Sequence, residues 1–299
     1  MNQHPAQDSG LTHIPVMITE VLSYLAIQPD GIYLDGTIGP GGHAISVLKE
    51  LTDGGKVVGI DRDEEALDIC KQNLKTSSSF LSLHHNSYAN LDNILAAEGL
   101  SAVHGILLDL GLSSLQLGSK NRGFSYRSEG PLDMRFDQSN GSGAGKLIDQ
   151  AGRDSLAQIF KEYGEERLAS RIAKSIKEMT AMNTIADLRE AIRRCTPPNH
   201  RDRTFARIFQ ALRIAVNGEL DILQQFLAKF IDFLHPGGRI VIISYHSLED
   251  RLVKHSFKEL ASGGTLDILT KRPITATEKE RKNNRRAGSA KLRAAVKVA

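Results

Sequence analysis

The fold is decided by the stretch Leu34-Asp35-Gly36-Thr37-Ile38-Gly39-Pro40-Gly41-Gly42-His43. An apolar run ends in an acid here and passes through a glycine-dense turn into a helical pattern. Eighteen residues after His43, a second apolar run ends in Asp61. This order predicts a βαβ unit for a nucleoside-bearing cofactor, because glycines let the backbone approach the ligand and the second acid can accept both ribose hydroxyls.

Two cofactor classes fit such a unit. The segment Gly39-x-Gly41-x-x-Ala44 can be aligned with the dinucleotide fingerprint, so a nicotinamide or flavin enzyme is one alternative. Asp35 argues against it, because a carboxylate just before the turn repels a pyrophosphate, which binds backbone N–H groups and a helix N-terminus. S-adenosylmethionine instead presents an ammonium and a sulfonium, which a carboxylate attracts. The sequence favours S-adenosylmethionine, and a glycine-rich turn that serves packing alone is the non-functional alternative.

Composition limits the class of protein. The chain has 299 residues, 40% of them hydrophobic, which is enough for one large core or two modest ones. Cys70 and Cys195 lie far apart and outside any metal-ligand spacing, so we expect a reducing compartment, no disulfide and no metal site. Residues 1–12 lack a signal-peptide pattern, and no apolar run approaches the length of a membrane span. We therefore expect a cytoplasmic protein with no membrane association.

The net charge of +3 hides an asymmetry along the chain. Residues 271–299 carry ten Lys and Arg against two Glu, whereas the rest of the chain has five more acids than bases. A basic tail on a mildly acidic body suits a polyanionic partner, and a solvated tail is the alternative. A second basic cluster consists of Arg189, Arg193, Arg194, Arg201, Arg203, Arg207 and Arg213. Arginine suits bidentate phosphate contacts, and it suits internal ion pairs almost as well.

The first third of the chain alternates strand and helix patterns. The strand candidates are Ile32–Asp35, Val57–Asp61, Phe80–His84 and Val103–Asp109. Helical patterns at about residues 43–51, 64–74 and 88–98 lie between them. The alternation predicts a parallel, doubly wound sheet. Right-handed crossovers would bring Asp35, Asp61 and Asp109 together at its carboxyl edge, where ligands bind.

The alternation then stops for about a hundred residues. Residues 115–145 predict a long structureless loop, a kind of segment that is usually functional or mobile. Helical spacing follows, with a capping box at Thr184 and Asp187. A helix at about residues 220–234, an apolar strand at 239–244 and a late strand at 266–270 resume the first pattern. We expect a discontinuous domain of residues 1–114 and 215–299, with a basic tail from 271, and an inserted, mainly helical substrate-recognition domain of residues 115–214.

Six motifs spread over nearly the whole chain resemble one known family. They are Asp35-Gly36-Thr37 with Gly41-Gly42-His43, Gly59-Ile60-Asp61-Arg62-Asp63, Gly105–Gly111 with Ser113-Ser114, Arg122-Gly123-Phe124-Ser125, Gly130-Pro131-Leu132-Asp133-Met134-Arg135, and Ser244–Arg251. Together they closely resemble the bacterial RsmH (MraW) methyltransferases. The resemblance implies an α/β fold, a class I (Rossmann-like) S-adenosylmethionine-dependent methyltransferase sheet with an inserted helical domain. It also implies methyl transfer to the N4 amine of a cytosine in the decoding centre, in the P-site region, of 16S rRNA in the small ribosomal subunit.

The resemblance also implies a set of site residues. Carried over position by position, the cofactor-binding residues are Gly41, Gly42, His43, Asp61, Tyr88, Asp109 and Gln116. The backbone of residues 41–43 would wrap the methionine end, Asp61 would bind the ribose, and Tyr88 would form a wall for the adenine. The family usually has Phe where this chain has Tyr88, and it often has Pro where this chain has Leu115, which bears on the stiffness of that loop.

The chemistry of the target asks for an acceptor. The exocyclic amine of cytosine is a poor nucleophile because its lone pair is delocalised into the ring, so its attack needs alignment and an acceptor for an amine hydrogen. Asp109 is the leading candidate for that acceptor, and hence the predicted catalytic residue. A strand-end cap that accepts backbone N–H groups is the alternative role for Asp109.

The stacking platform for the base is less well defined. Many amino-methyltransferases have Asp/Asn-Pro-Pro-aromatic after the fourth strand, and this chain has Asp109-Leu110-Gly111-Leu112. An aromatic platform is therefore expected from Phe124, Tyr126 or Tyr245. His246 is a candidate for contact with the nucleotide or for proton transfer, with a structural hydrogen bond as the alternative.

Other function classes are open from the residues alone. One is a non-catalytic RNA-binding protein with a vestigial cofactor pocket, although a decayed pocket has no reason to retain acids at three strand ends. A nicotinamide-dependent oxidoreductase is the second, and DNA amine methylation is the third. Methylation of small molecules or proteins is a weaker alternative, because neither substrate needs the basic segment.

Overall fold

A seven-stranded sheet forms the centre of the molecule in the computed structural model, which describes residues 15–74 and 80–298. Its strands are β1 (Ile32–Asp35), β2 (Lys56–Asp61), β3 (Leu81–His85), β4 (Val103–Asp109), β5 (Leu234–Ser244), β6 (Leu266–Ile268) and β7 (Lys291–Lys297). Their order is β3-β2-β1-β4-β5-β7-β6, with β1 to β5 parallel and β7 antiparallel to both neighbours. This is the α/β, class I (Rossmann-like) sheet that the resemblance implied.

Helices cover the sheet and fill the insertion. The α-helices of the described residues are α1 (Ile18–Leu25), α2 (Gly42–Leu48), α3 (Glu64–Asn73), α4 (Leu91–Ala97), α5 (Ser114–Gly118), α6 (Ala144–Gln150), α7 (Arg153–Glu162), α8 (Ala169–Lys177), α9 (Ile185–Cys195), α10 (Arg201–Asn217), α11 (Glu219–Leu227), α12 (Ser247–Ser262) and α13 (Glu278–Asn283). None of them is long and apolar enough to cross a bilayer. Residues 1–12, in which no signal peptide is predicted, lie outside the described residues.

Successive strand residues face opposite sides of the sheet, and helices bury both sides. Ile106 and Leu108 of β4 pack in one apolar cluster with α4, α11 and α12. Leu107 between them packs in a second cluster with α1, α2 and α3. Burial on both faces is typical of parallel sheets and explains why these strands are continuously apolar. It also fixes the register, because a slip by one residue would exchange the two faces.

The carboxyl ends of three neighbouring strands meet at one edge. Asp35, the last residue of β1, lies in register with Gly59 of β2 and Leu107 of β4. Two residues after Gly59, β2 ends in Asp61, and two residues after Leu107, β4 ends in Asp109. The predicted meeting of the three acids at this edge is confirmed.

The residues between β4 and α11 enclose a core of their own. Its buried side chains run from Phe124 to Leu212 and belong mainly to α6 through α10. The capping box predicted at the start of α9 is present, since Thr184 Oγ1 accepts from the Asp187 N–H and Asp187 Oδ2 accepts from the Thr184 N–H. Residues 115–145 are not structureless throughout, because α5 covers their first residues and α6 begins at residue 144. The division at 114/115 and 214/215 stays a prediction, and its second boundary falls inside α10.

The basic segment from residue 271 is not a solvated tail. It contains β7, which lies between β5 and β6 in the sheet. Arg293 of β7 is buried, and its Nε donates to Asp250 Oδ1 at 2.7 Å, while Lys297 Nζ donates to two backbone carbonyls near the start of β5. β7 was not predicted, because alanine favours strands weakly and the charges at both ends resemble those of a solvated segment.

A buried ion pair fixes the inserted segment to the sheet. The Arg122 guanidinium donates to both carboxylate oxygens of Asp63, just after β2, at 2.8 and 3.2 Å. Both side chains are about 3% exposed. The same guanidinium donates to the carbonyls of Arg135 and Phe136, so one side chain holds two stretches of the loop in place. Bidentate pairing of this kind is strong and geometrically specific.

We expect Arg122→Ala to lower the free energy of unfolding by about 3–5 kcal/mol, because it leaves the Asp63 carboxylate buried without its partner. Urea denaturation followed by circular dichroism measures the change. The matched control is Arg153→Ala, whose ion pair with Asp154 is largely exposed and should contribute little. Equal losses in both variants would contradict the importance of the buried pair.

Candidate active site

A cavity opens at the carboxyl edge of the sheet. Its volume is about 920 Å³ including the open mouth. The turn between β1 and α2 forms one wall, and the segment after β4 forms another. Among the predicted cofactor-binding residues, those in the lining are Gly42, His43, Asp61, Tyr88, Asp109 and Gln116. Gly41 lies just behind the wall, as the residue that precedes α2.

The glycines of the β1–α2 turn are there for their backbone. Gly39 and Gly41 have φ values of +52° and +92°, in the left-handed region that side chains disfavour. A Cβ on Gly41 would also lie 3.0 Å from the sulfur of Cys70. The Gly39 N–H donates to Asp61 Oδ2 at 2.8 Å, which ties the turn to the end of β2. The turn therefore presents bare backbone to the cavity.

Asp61 is a partly exposed acceptor at the cavity wall. Its two oxygens accept from the backbone N–H groups of Gly39 and Asp63, at 2.8 and 2.9 Å. Burial nevertheless raises the pKa of Asp61 to about 6, against the lowering effect of these hydrogen bonds. Each carboxylate oxygen has a second lone pair, so the group can still accept hydrogen bonds from the two hydroxyls of a ribose.

Asp109 lies where several elements converge. Its backbone N–H donates to Thr37 Oγ1 at 2.6 Å, and its Oδ1 accepts from the Tyr245 hydroxyl at 2.6 Å. Its Oδ2 lies 3.9 Å from His43 Nδ1 and 3.7 Å from Arg286 Nη2. Arg286 also lies over the Tyr245 ring, 5.7 Å from its centroid. Asp109 is thus held by side chains as well as by backbone.

His43 was predicted to contribute through its backbone, and its side chain has a structural role as well. It is buried, and its Nε2 lies 2.9 Å from the carbonyl oxygen of Val16. Because a carbonyl only accepts, Nε2 carries the proton in this contact. The imidazole therefore connects the start of α2 to the segment before α1.

Tyr88 and Gln116 line the cavity in different ways. The Tyr88 ring is buried edge-on against Phe226, with 5.5 Å between centroids. Gln116 uses both ends of its amide internally, since Nε2 donates to Asp63 Oδ2 at 2.8 Å and Oε1 accepts from the Ser113 N–H at 3.0 Å. Asp63 is therefore the common support of Gln116 and of the Arg122 pair. Asp63 and Arg122 belong to two motifs that are recognisable in the sequence, but no sequence signal indicates that these motifs touch.

Asp35 does not have the electrostatic role expected of it. Its side chain is buried outside the cavity lining and accepts from the Thr37 N–H at 3.2 Å. Burial, with a smaller contribution from the nearby acids Asp109 and Asp61 and against the effect of that hydrogen bond, raises its pKa to about 8. A carboxyl that is mostly protonated at neutral pH attracts a cation weakly. Of the three acids at the strand ends, Asp61 and Asp109 face the cavity.

One of the three predicted platform candidates touches the site. Phe124 stacks on Phe136 within the inserted core, and Tyr126 stacks on Phe205. Tyr245 contacts Asp109 directly. Phe136, which the sequence analysis did not consider, lines the cavity.

His246 has the structural role that was its alternative. Its Nδ1 accepts from the Glu249 N–H at 3.4 Å and caps α12. Glu249 and Glu219 line the cavity but were not predicted, although Glu249 lies in a quoted motif. One possible ligand atom from each of Glu219, His246 and Glu249 lies within 4.8 Å of the others, which is the set most suited to a metal among the described residues.

The raised pKa of Asp35 has a consequence for stability. The Asp35 carboxyl of the native state keeps a proton that the unfolded chain releases near pH 4. The contribution of this proton to the free energy of unfolding is therefore complete below pH 4 and is lost as the pH rises to about 8. We expect the free energy of unfolding to fall between about pH 6 and 8, and Asp35→Asn to remove about 2 kcal/mol of that fall. Urea denaturation at several pH values measures both slopes. Parallel curves for the two proteins would contradict the shift, and Asp154→Asn is the exposed control.

Comparison with known proteins identifies the family. The chain matches the MraW methylase family over residues 10–298. The ribosomal RNA small subunit methyltransferase H of Halothermothrix orenii is 44% identical over 309 residues, with 96% of this chain and 99% of the relative covered. The proteins of the same name from Kosmotoga olearia and Pelobacter propionicus are 46% and 44% identical, covering 96% and 97% of this chain and 98% and 100% of their own lengths.

These matches bear on the cofactor as well as on the fold. A methylase needs a methyl donor, and the prediction of S-adenosylmethionine in place of a nicotinamide is confirmed at the level of the family. The glycine-rich turn and the acceptor Asp61 in the cavity lining fit that cofactor chemically. With a match that spans nearly its whole length, this chain belongs to the MraW methylase family.

Proposed function

We propose that this protein transfers a methyl group from S-adenosylmethionine to the N4 amine of a cytosine in the decoding centre, in the P-site region, of 16S rRNA in the small ribosomal subunit. Relatives that match it over nearly their full length are named small subunit rRNA methyltransferases. The observation that carries the proposal is the cavity in which Asp61 and Asp109 both face the bare turn of residues 36–43. This arrangement suits a nucleoside-bearing methyl donor and an amine acceptor side by side.

The cavity wall offers a partner for each part of the cofactor. Bound S-adenosylmethionine supplies an electrophilic methyl group on a sulfonium sulfur. Asp61 binds the ribose hydroxyls, and the ring of Tyr88 supports the adenine. The backbone of Gly41, Gly42 and His43 wraps the methionine end, and Gln116, held by Asp63, closes the cavity on the side of the insertion.

Asp109 acts on the target side. We assign to it the acceptor role for one hydrogen of the cytosine amine, which helps the nitrogen to pyramidalise as it attacks. The Tyr245 hydroxyl fixes the carboxylate by donating to Oδ1, and Oδ2 keeps acceptor capacity toward the cavity. Alignment of two bound reactants lowers the barrier by roughly 7–11 kcal/mol. General base catalysis raises the rate by about 10²-fold to 10⁴-fold, which corresponds to a smaller reduction of the barrier.

Only part of the arginine cluster suits an rRNA surface. Arg189, Arg207 and Arg213 form ion pairs with Glu129, Glu166 and Glu219, which is the internal alternative that the sequence left open. Arg193, Arg194 and Arg203 are exposed, and Arg194 is within 3.5 Å of the equally exposed Glu190. We therefore narrow the proposed RNA contact to the exposed members on α9 and α10.

The direct test is methyl transfer from tritiated S-adenosylmethionine to 30S subunits that lack the modification, with mass spectrometry of the labelled nucleoside. We expect N4-methylcytidine from the native protein and a rate lower by about 10²-fold or more with Asp109→Asn. Asp154→Asn, an exposed acid of the insertion, should keep the native rate. Label on any other nucleoside would overturn the proposed target, and full activity of Asp109→Asn would leave it the role of a strand-end cap.

The RNA surface is tested separately. Arg203→Ala should weaken binding to the 30S subunit and reduce the slope of log affinity against log salt by about 1, because one phosphate contact is lost. Calorimetry with S-adenosylhomocysteine should give the native cofactor affinity. Lys174→Ala, on α8 outside the arginine cluster, is the control for unspecific loss of charge. An unchanged salt slope with Arg203→Ala would remove this residue from the interface.

A further inference from the structure

A cluster of four ionisable side chains lies at the cavity beside the predicted site residues. Arg213 comes from α10, Glu219 from the start of α11, and His246 and Glu249 from the start of α12. Arg213 Nε donates to Glu219 Oε1 at 2.9 Å, and His246 Nε2 lies 3.1 Å from Glu249 Oε1. The junction of α10, α11 and α12 thus brings together two carboxylates, each paired with a nitrogen-bearing side chain.

The two carboxylates of this cluster face the cavity. Glu219 and Glu249 are 9% and 3% exposed, and both belong to the cavity lining together with Asp109. Burial alone raises the pKa of Glu249, but His246 and Arg213 outweigh burial and hold this pKa below its usual value. Burial raises the pKa of Glu219, and Arg213 opposes that rise. The Arg213 guanidinium and the Nε2 side of His246 therefore favour the carboxylate form of both acceptors at the cavity wall.

The cluster has unmet hydrogen-bonding capacity. Among the described residues, Arg213 Nη2 and His246 Nε2 are buried without an aligned hydrogen-bond partner. The His246 side chain is only 7% exposed, so water does not readily compensate. A buried polar atom left unpaired costs free energy, and such atoms in native proteins call for an explanation. Both nitrogens belong to side chains that pair with the two carboxylates, and the carboxylates are the members of the cluster that line the cavity.

The charges narrow the chemistry of that ligand. A second cation is disfavoured, because the Arg213 guanidinium already lies against Glu219. A free anion is disfavoured by the two carboxylates. A neutral group that carries donors and acceptors on one edge fits both pairs. The Watson–Crick edge of cytosine has this character, with the N4 amine as donor and N3 and O2 as acceptors.

We propose that Glu219 and Glu249 form the subsite that selects an amino-bearing base, by accepting the N4 hydrogen that is not directed at Asp109. This inference rests on the proposed function and adds specificity to it. Uracil has a carbonyl oxygen where cytosine has the amine, so two carboxylates would face an acceptor and repel it. Arg213 and His246 are positioning residues, which keep the two carboxylates charged and in place.

Glu219→Gln is the most informative variant, because Glu249 also caps α12 with its own carboxylate. A glutamine offers an N–H as well as an oxygen, so it tolerates the uracil carbonyl. We expect the native complex with S-adenosylhomocysteine to bind cytidine at least about tenfold more tightly than uridine, measured by saturation-transfer NMR, and Glu219→Gln to lose this preference. The rate of transfer to 30S subunits should fall by at least about 100-fold.

Controls separate this subsite from other roles. Glu166→Gln removes a similarly buried carboxylate that pairs with Arg207 outside the cavity lining, and it should keep both the rate and the preference. Glu219→Asp keeps the charge, and should retain more of the cytidine preference than Glu219→Gln. Affinity for S-adenosylhomocysteine should stay within about twofold of the native value in all three variants.

Several results would overturn the inference. A native rate with Glu219→Gln would do so, as would a loss of S-adenosylhomocysteine affinity, which would assign Glu219 to the cofactor. Calorimetric titration with Mn²⁺ or Zn²⁺ that shows binding to the native protein but not to Glu219→Gln would assign the cluster to a metal. If the native protein forms no N4-methylcytidine, the proposed function fails and this inference with it. If the native enzyme methylates cytosine and Glu219→Gln is equally active, the inference about the subsite fails and the proposed function stands.

Discussion

The carboxylate of Asp63 is the single group on which the geometry of the site depends. One of its oxygens accepts from both Arg122 and Gln116, so the inserted segment and the segment after β4 share one anchor. Its own backbone N–H is bound by Asp61, which faces the cavity. A buried charge that satisfies several donors at once is costly to form and rigid once formed. The distance between the cofactor wall and the insertion is therefore set by one side chain.

The three acids at this edge differ in environment although they occupy equivalent positions at the ends of their strands. Asp35, Asp61 and Asp109 each end a parallel strand, yet only the last two face the cavity. Asp61 is hydrogen-bonded by backbone, whereas Asp109 is held by the Tyr245 hydroxyl and lies near His43 and Arg286. Arg286 comes from the basic segment that the composition assigned to a polyanionic partner. Some of that positive charge thus balances the acids of the site itself.

Much of the sheet was predictable, because strands buried on both faces give long apolar runs. The predicted bounds of β1 and β4 agree with the structure, those of β2 differ by one residue at its start, and those of β3 are displaced by one residue at both ends. The run of β7 was missed because its apolar centre is short and alanine-rich, and its charges find partners such as Asp250 that are distant in sequence. The side on which Asp35 points and the pairing of Arg122 with Asp63 depend on tertiary contacts that no local pattern encodes. The meeting of Glu219 and Glu249 at the cavity also depends on tertiary contacts, because they come from two different helices, α11 and α12, that follow the insertion in the chain.

The position of β7 between β5 and β6 also constrains how the molecule can be made. Both neighbours precede it in the chain, so during synthesis the edge of β5 that faces away from β4 is unpaired and β6 has no strand beside it. Residues 240–243 of β5 are apolar and are buried in the finished sheet. Exposed apolar strand edges are sites of misassociation until they are covered. This edge of β5 is therefore uncovered until the residues of β7, up to Lys297, have been synthesised and the strand has paired.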